Sequence, residues 1–309
     1  MSDRPAAPRL TIGLNAVVTA LRDSDPHVLC APREGSWALP YGPFDPARHR
    51  TFEIGMRDFV ERQTGLRLPY VEQLYTFGDA GREVARARLA GGQDTDRVVS
   101  VGYLALTPRA GETGLTGAAW RGWYEYFPWE DRREGDPEAL AAITEALGRW
   151  ADTEERAARV EAAFGARTGW QEERALDRYE LMYEAGLVEE AARDGGGGTP
   201  LPGTGPAMAS DHRRILATAI GRLRGKLRYR PVAFELMGEA FTLTDLQEAI
   251  EAVLGFRVHK QNFRRALAAS GLAEPTGETA PQGKGRPAAL HRRAGGAPAS
   301  TGFTLPRAR

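Results

Sequence analysis

A chain of 309 residues has room for two domains of ordinary size, and 42% hydrophobic with 27% charged residues is the balance of a folded globular protein. One cysteine, Cys30, excludes an internal disulfide framework and a cysteine-rich zinc site. The start, MSDRPAAPRL, lacks the apolar core of a secretory signal, and no apolar run reaches the length of a membrane span, so a cytoplasmic protein is expected. The net charge of +0 conceals a division: residues 207–309 carry 17 Lys and Arg against 8 Asp and Glu, a net of +9, and residues 1–206 carry 24 against 33, a net of −9.

Taken in chain order, Thr11–Leu21 and His27–Pro32 read as strands joined by a turn at Asp23–Pro26. A helix is expected over Arg50–Gln63, with Phe52, Met56, Phe59 and Val60 as its apolar stripe and Gly65 as a left-handed C-cap. Val98–Leu106 reads as a further strand, and Glu138–Phe164 and Glu172–Glu190 as amphipathic helical segments. The tryptophan- and tyrosine-rich run Trp120–Trp129 is expected to pack the core or a subunit contact. This order of strands and helices predicts a mixed α/β unit. Four glycines at 195–198, followed by prolines up to Pro206, read as a flexible linker.

Beyond the linker the pattern is helical. His212–Lys226 is a basic helix, Thr242–Leu254 opens on a capping box of Thr242 and Asp245, and His259–Ala269 follows after a short turn. Two short helices joined so closely predict a helix-turn-helix. In the second of them Phe263 and Leu267 would pack inward with Leu246, Ile250 and Leu272. Lys260, Gln261, Arg264, Arg265 and Ala268 would then face outward, with Asn262 at the rim. Such a face offers donors for base edges and phosphates in a major groove, and the small Ala268 permits close approach. Downstream, Gln282-Gly283-Lys284-Gly285-Arg286-Pro287 has the composition of a basic hairpin tip, a wing able to follow the DNA backbone. Either feature alone is usually a solvated surface; together, in a basic domain, they predict DNA binding.

The stretch from Asp211 to Leu290 resembles the winged-helix domain of the Nudix-related transcriptional regulator (NrtR) family. The likeness is carried by Arg224-Gly225-Lys226-Leu227, Tyr229-Arg230-Pro231-Val232-Ala233-Phe234-Glu235-Leu236, Phe241-Thr242-Leu243-Thr244-Asp245-Leu246-Gln247, Asn262-Phe263-Arg264-Arg265, Glu274-Pro275-Thr276-Gly277 and Gly285-Arg286-Pro287-Ala288. His259 departs from it, standing where the family tends to cap the recognition helix with an acidic residue; histidine is a poorer N-cap. The resemblance implies an α/β Nudix-like N-terminal domain plus an α+β winged helix-turn-helix C-terminal domain. The expected boundaries are 8–135 for the Nudix-like effector-sensing domain, 136–194 for a helical extension, 195–206 for the linker, 207–293 for the winged helix and 294–309 for a disordered tail. The DNA-binding set is Lys260, Gln261, Asn262, Arg264, Arg265, Lys284 and Arg286, with Lys226 and Thr244.

Trp37-Ala38-Leu39-Pro40-Tyr41-Gly42 resembles the approach to a Nudix box and Thr64-Gly65-Leu66 its end, and Tyr70–Asp79 and Arg97–Val101 also look like this family. A Nudix hydrolase gathers divalent metal on glutamates of one helix face, because a hard cation needs several oxygens within one or two turns. Anchored on Gly65, those glutamate positions hold Phe59, Arg62 and Gln63, and the arginine position holds Asp58; measured from Gly42 the segment is two residues longer than the usual box. Glu53, Arg57 and Glu61 read as a salt-bridged row, and Asp58 with Glu61 remains as a weak pair for a metal. No catalytic residue, no metal and no required cofactor is therefore expected. The resemblance implies instead that the retained pocket senses ADP-ribose or a related nucleotide or sugar phosphate, with Arg57, Arg62 and Arg97 toward phosphates and Trp37, Tyr75 or Phe77 stacking on a base or ribose. The protein is expected to act as a homodimer on a palindromic double-stranded DNA operator, with no membrane partner. Two alternatives stand beside this: an active Nudix pyrophosphatase with a nucleic-acid-binding appendage, and a ligand-independent architectural or adaptor protein.

Overall fold

The computed structural model describes residues 10–33, 35–79, 97–108, 110–111, 117–165, 167–280 and 287–295. Strand β1 (Leu10–Arg22) turns into β2 (Asp25–Arg33) through Asp23 and Ser24 alone, both at positive φ (52° and 64°). A two-residue turn of this hand matches the right-handed twist of the strands it joins, and aspartate tolerates the left-handed region better than most side chains. Short strands β3 (Ser36–Ala38) and β4 (Tyr41–Pro43) follow, then helix α1 (Phe52–Thr64), β5 (Tyr70–Phe77), β6 (Arg97–Leu106) and β7 (Ala119–Gly122). The sheet runs β3-β2-β1-β6-β5, with β4 on β1 and β7 on β2; β1 and β6 are parallel, and the other pairs are antiparallel.

Alternation along the strands divides the sheet into two buried faces. Leu14, Ala16, Val18, Leu29, Tyr103 and Ala105 meet Met56, Phe59 and Val60 of α1. Val17, Val28, Cys30, Leu104 and Leu106 belong to a second, larger core on the other side. Helix α1 is capped as its sequence requires: Thr51 accepts from the Ile54 amide at 3.2 Å, and Gly65 sits at φ 71° with its N–H on the Glu61 carbonyl.

The second face is covered by helices. The aromatic run forms the short α2 (Trp123–Tyr126) and a 3-10 turn at Pro128–Glu130, and Trp123, Tyr126, Phe127 and Trp129 are wholly buried, as core packing requires. The segment expected as one helix over 138–164 divides into α3 (Glu138–Trp150) and α4 (Glu154–Phe164), because Thr153 caps a new helix by accepting from the Arg156 amide. Likewise 172–190 divides into a 3-10 turn at Glu172–Arg174, α5 (Ala175–Glu184) and α6 (Glu189–Arg193), with Gly186 at φ 72° between the last two. The long α7 (His212–Leu227) then lies against α5, β5 and β6 and buries Ile215, Ala219, Ile220 and Leu223.

The glycine and proline stretch 195–206 is not the free tether its composition suggested. Leu201 donates to the Leu187 carbonyl at 3.0 Å, Thr204 is buried, and the Thr204 carbonyl is bonded by the Arg213 guanidinium. Gly186 runs so close to Gly197 that a Cβ would lie 2.0 Å from the Gly197 carbonyl oxygen, and one on Gly205 would lie 2.6 Å from that of Glu125. Glycine here admits close backbone approach and positive φ; composition registers only its freedom in the unfolded chain.

A 3-10 turn at Val232–Leu236 leads into β8 (Phe241–Thr242), α8 (Leu243–Leu254), α9 (Lys260–Ser270), β9 (Ala273–Thr279) and β10 (Ala289–Arg293), with strand order β8-β10-β9. The capping box is formed: the Asp245 amide donates to Thr242 Oγ1 at 3.1 Å and the Thr242 amide to Asp245 Oδ2 at 2.8 Å. Phe241, Leu246, Ile250, Val253, Phe263, Leu267 and Leu272 join the same hydrophobic core as the second face of the sheet. Among the described residues no helix is long and apolar enough to cross a membrane.

Candidate nucleic-acid interface and effector surface

Helix α9 starts at Lys260, with His259 as an N-cap whose side chain makes no capping bond. Phe263 and Leu267 are buried on α8, and Lys260, Gln261, Arg265 and Ala268 are exposed, with Asn262 half-buried at the rim. Arg264 behaves differently from Arg265. Its Nη2 donates to Thr244 Oγ1 at 3.1 Å, its Nε is buried without a hydrogen-bond partner among the described residues, and desolvation lowers its pKa. It braces the recognition helix against the first turn of α8, while Arg265 projects to solvent.

The wing is an antiparallel pair, β9 with β10, closed by the Ala280 amide on the Ala288 carbonyl at 2.8 Å. Lys284 and Arg286 lie outside the described residues. Lys226 stands apart from the recognition face. Its ammonium is bonded by Glu72 Oε2 and donates to the Tyr70 hydroxyl at 2.9 Å, so β5 of the N-terminal unit occupies it. Sequence periodicity marks a basic helix face but carries no information on which carboxylate will meet it across the fold.

On α1 the remaining acidic residues are held by cations. Glu53 pairs with Arg57 at 2.9 Å, and Asp58 with Arg62 Nη2 at 2.9 Å and His49 Nε2 at 3.1 Å. The expected third member of the row, Glu61, turns instead to Arg67 at 3.2 Å. Gln63 donates to the Tyr41 carbonyl at 3.0 Å, and Phe59 is core. Among the described residues no group of three or more His, Cys, Asp or Glu side chains is placed to hold a metal ion.

The expected effector residues do not converge. Arg57 and Arg62 are on α1, over one face of the sheet; Arg57 also donates to the Leu68 carbonyl at 2.5 Å. Phe77 is buried and Trp37 half-buried in the core on the other face. Tyr75 is 62% exposed, its ring 5.5 Å from Phe77. Arg97 begins β6 opposite Leu10, and its side chain lies outside the described residues. The structure instead assembles two cation–aromatic pairs about β2, β3, β4 and β7. The Arg33 guanidinium lies 4.3 Å from the Tyr41 ring centre, and that of Arg121 lies 5.2 Å from Trp37. Nearby, the buried His212 accepts the Leu39 amide at Nδ1 (2.7 Å), tying α7 to the stretch between β3 and β4. Arg33, Tyr41, Arg121 and His212 are distant in sequence and carry no shared spacing, which hid them from a one-dimensional reading.

Residues 233–292 match the family described as the NrtR DNA-binding winged helix domain. This segment is thus a winged helix of the NrtR type. A curated relative, the ADPR responsive transcriptional repressor NtrR of Acinetobacter baylyi, is 42% identical over 85 residues; that match takes in 28% of this chain and spans only 34% of the relative's length. The crystal structure of Shewanella oneidensis NrtR complexed with a 27mer DNA shares the fold with TM-score 0.57 at 21% identity, covering 96% of this chain and 99% of that one. A MutT/nudix family protein from Enterococcus faecalis shares it with TM-score 0.55 at 16% identity, covering 95% and 90%. The fold shared with these structures, a Nudix-like sheet unit followed by a winged helix, thus extends over nearly the whole chain.

Proposed function

We propose that this chain is an NrtR-family transcriptional repressor that binds double-stranded DNA through α9 and its wing and is released or retuned by ADP-ribose. The observation that carries the reading is the exposed face of Lys260, Gln261, Arg265 and Ala268 on a helix whose opposite side is locked into the core. The 42% identity with a relative named ADPR responsive transcriptional repressor supports repression and the effector. The two cation–aromatic pairs, Arg33 with Tyr41 and Arg121 with Trp37, supply what a nucleotide diphosphate needs: positive charge for phosphate and a flat ring for stacking. Pairing of Glu53, Asp58 and Glu61 with cations supports a sensor that does not hydrolyse its ligand, since a divalent ion would have to displace an arginine or histidine at each carboxylate. The protein acts in the cytoplasm as a homodimer on a palindromic site, because two short half-sites are needed for useful affinity.

Selection of operator fragments with the purified protein, followed by fluorescence anisotropy, tests this. Arg265→Ala should weaken the selected operator by about 1–3 kcal/mol without changing thermal stability. ADP-ribose should shift operator affinity by about fivefold or more. Full affinity in Arg265→Ala would overturn the assignment of the recognition face. Magnesium-dependent turnover of ADP-ribose, abolished by Glu61→Gln, would overturn the sensor reading in favour of a pyrophosphatase.

A further inference from the structure

The first helix of the helix-turn-helix, α8, stops at Gly255, and its last carbonyls have no partners within the helix. Donors from outside the helix-turn-helix take three carbonyls in this terminal stretch, two of them from the segment 124–132 and one from α7. The Tyr124 hydroxyl donates to the Ala252 carbonyl at 2.5 Å, Arg224 Nε to that of Val253 at 2.8 Å, and the Arg132 amide to that of Gly255 at 2.7 Å. Gly255 has φ 76° and lies so close to the preceding unit that a Cβ would be 2.3 Å from the Glu130 carbonyl oxygen. No side chain fits there without moving the helix end.

Glu130 is the centre of this contact. Its carboxylate receives Arg178 Nε at 2.6 Å and Nη2 at 2.9 Å from α5, and Nη1 of Arg224 from α7; its carbonyl receives Arg224 Nη2 at 3.3 Å. All three side chains are wholly buried. One carboxylate thereby joins α5, α7 and, through the Arg224 fork, the end of α8. Only residues 255–259 separate that end from α9, which packs back onto α8 through Phe263 and Leu267. In the other direction, the chain from Glu130 leads back through α2 to β7. There Arg121 lies over Trp37 and pairs with Glu125 at 2.5 Å, and Glu125 in turn accepts the Gly122 amide at the start of α2.

We propose that Glu130 is the positioning residue that sets where the recognition helix stands relative to the sheet unit, and that the effector's influence on DNA binding passes through this clamp on the end of α8. The second clause rests on the ADP-ribose reading above; the first does not. A buried, hydrogen-bonded junction transmits displacement, because a shift of the 121–132 segment moves the donors on the carbonyls of 252 and 255 directly, and the Arg224 donor on that of 253 through Glu130.

The test uses the full chain with nitroxide labels on Ala141→Cys in α3 and Ala269→Cys in α9, both exposed, while the buried Cys30 stays unlabelled. Tyr124→Phe keeps the ring and removes only the hydroxyl bonded to Ala252; Glu130→Gln removes the central charge. With the clamp intact the label-to-label distance distribution is narrow. Tyr124→Phe should broaden it and reduce the ADP-ribose-induced ratio of operator Kd values by about threefold or more, with operator binding in the absence of effector changed less than that. An unchanged distribution and an unchanged ratio in Tyr124→Phe would overturn the proposal, whether or not Glu130→Gln folds. If the unsubstituted chain shows no response to ADP-ribose, the effector reading fails, and the distance measurement alone still decides whether the clamp positions α9.

Discussion

Glu130 is ionised in a place where burial alone would keep a carboxyl neutral. Burial raises its pKa, but the Arg178 and Arg224 guanidiniums outweigh it and hold the value below the ordinary 4.5. Removing one partner of such a group leaves the others as uncompensated buried charge, so Glu130→Gln should cost about 3–5 kcal/mol in urea unfolding at neutral pH. A carboxyl depressed in the folded state contributes stability that is fully present above the unfolded pKa and is lost as pH falls through the folded one. The wild-type chain should therefore lose stability steeply below about pH 4.5, and Glu130→Gln should show a shallower acid limb. An equally steep limb in the variant would show that other carboxylates dominate acid unfolding. A second buried pair, Arg213 with Glu190 at 3.1 Å, anchors the 204–213 stretch in the same way, and Arg213 also donates to the Tyr126 carbonyl. Cys30, by contrast, is a core residue: burial pushes its thiol up to about 12, despite a contact with the Tyr126 hydroxyl, so it is no nucleophile.

At the scale of elements, local signals and local structure agree wherever the determinant is local. Gly65, Thr242 with Asp245, and the apolar stripes of α1 and α9 were all readable, because caps and helix periodicity act within a few residues. Thr242→Ala should cost about 1 kcal/mol by thermal melting, since both bonds of the box are made; a loss near zero would mean that packing alone starts α8. The breaks at Thr153 and Gly186 were harder to see, because the apolar pattern continues across them and only the cap geometry marks a new helix. Arg264 and Arg265 are neighbours of the same type, yet one braces α8 and the other faces solvent; a single residue's rotation about the helix axis decides it.

Over the whole molecule, one hydrophobic core runs from the sheet through α2–α7 into the winged helix. That continuity, with the stretch 195–206 packed down, predicts a single cooperative unfolding transition whose calorimetric and van't Hoff enthalpies agree. Two resolved transitions in calorimetry would show the winged helix to be energetically separate. The basic character of residues 207–309 was plain from composition, but much of it is spent inside the fold: Arg213, Arg224 and Lys226 meet Glu190, Glu130 and Glu72. The charge left for DNA is accordingly smaller than the count of +9 suggests.

Residue types at short spacing were enough for β1, β2, β6 and α1, for the two architectural classes, for the capped helix pair and for the side chains that stand on α1. The sequence also carried the family likeness of the helix-turn-helix. The tertiary structure alone decided which arginines are free to meet DNA, which aromatic rings are core, and that the glycine-rich stretch is packed. It alone brought Glu130, Arg178, Arg224 and the end of α8 together. Ion pairs between residues 48 or 94 positions apart depend on how packed layers bring distant side chains into register, and no local pattern encodes that.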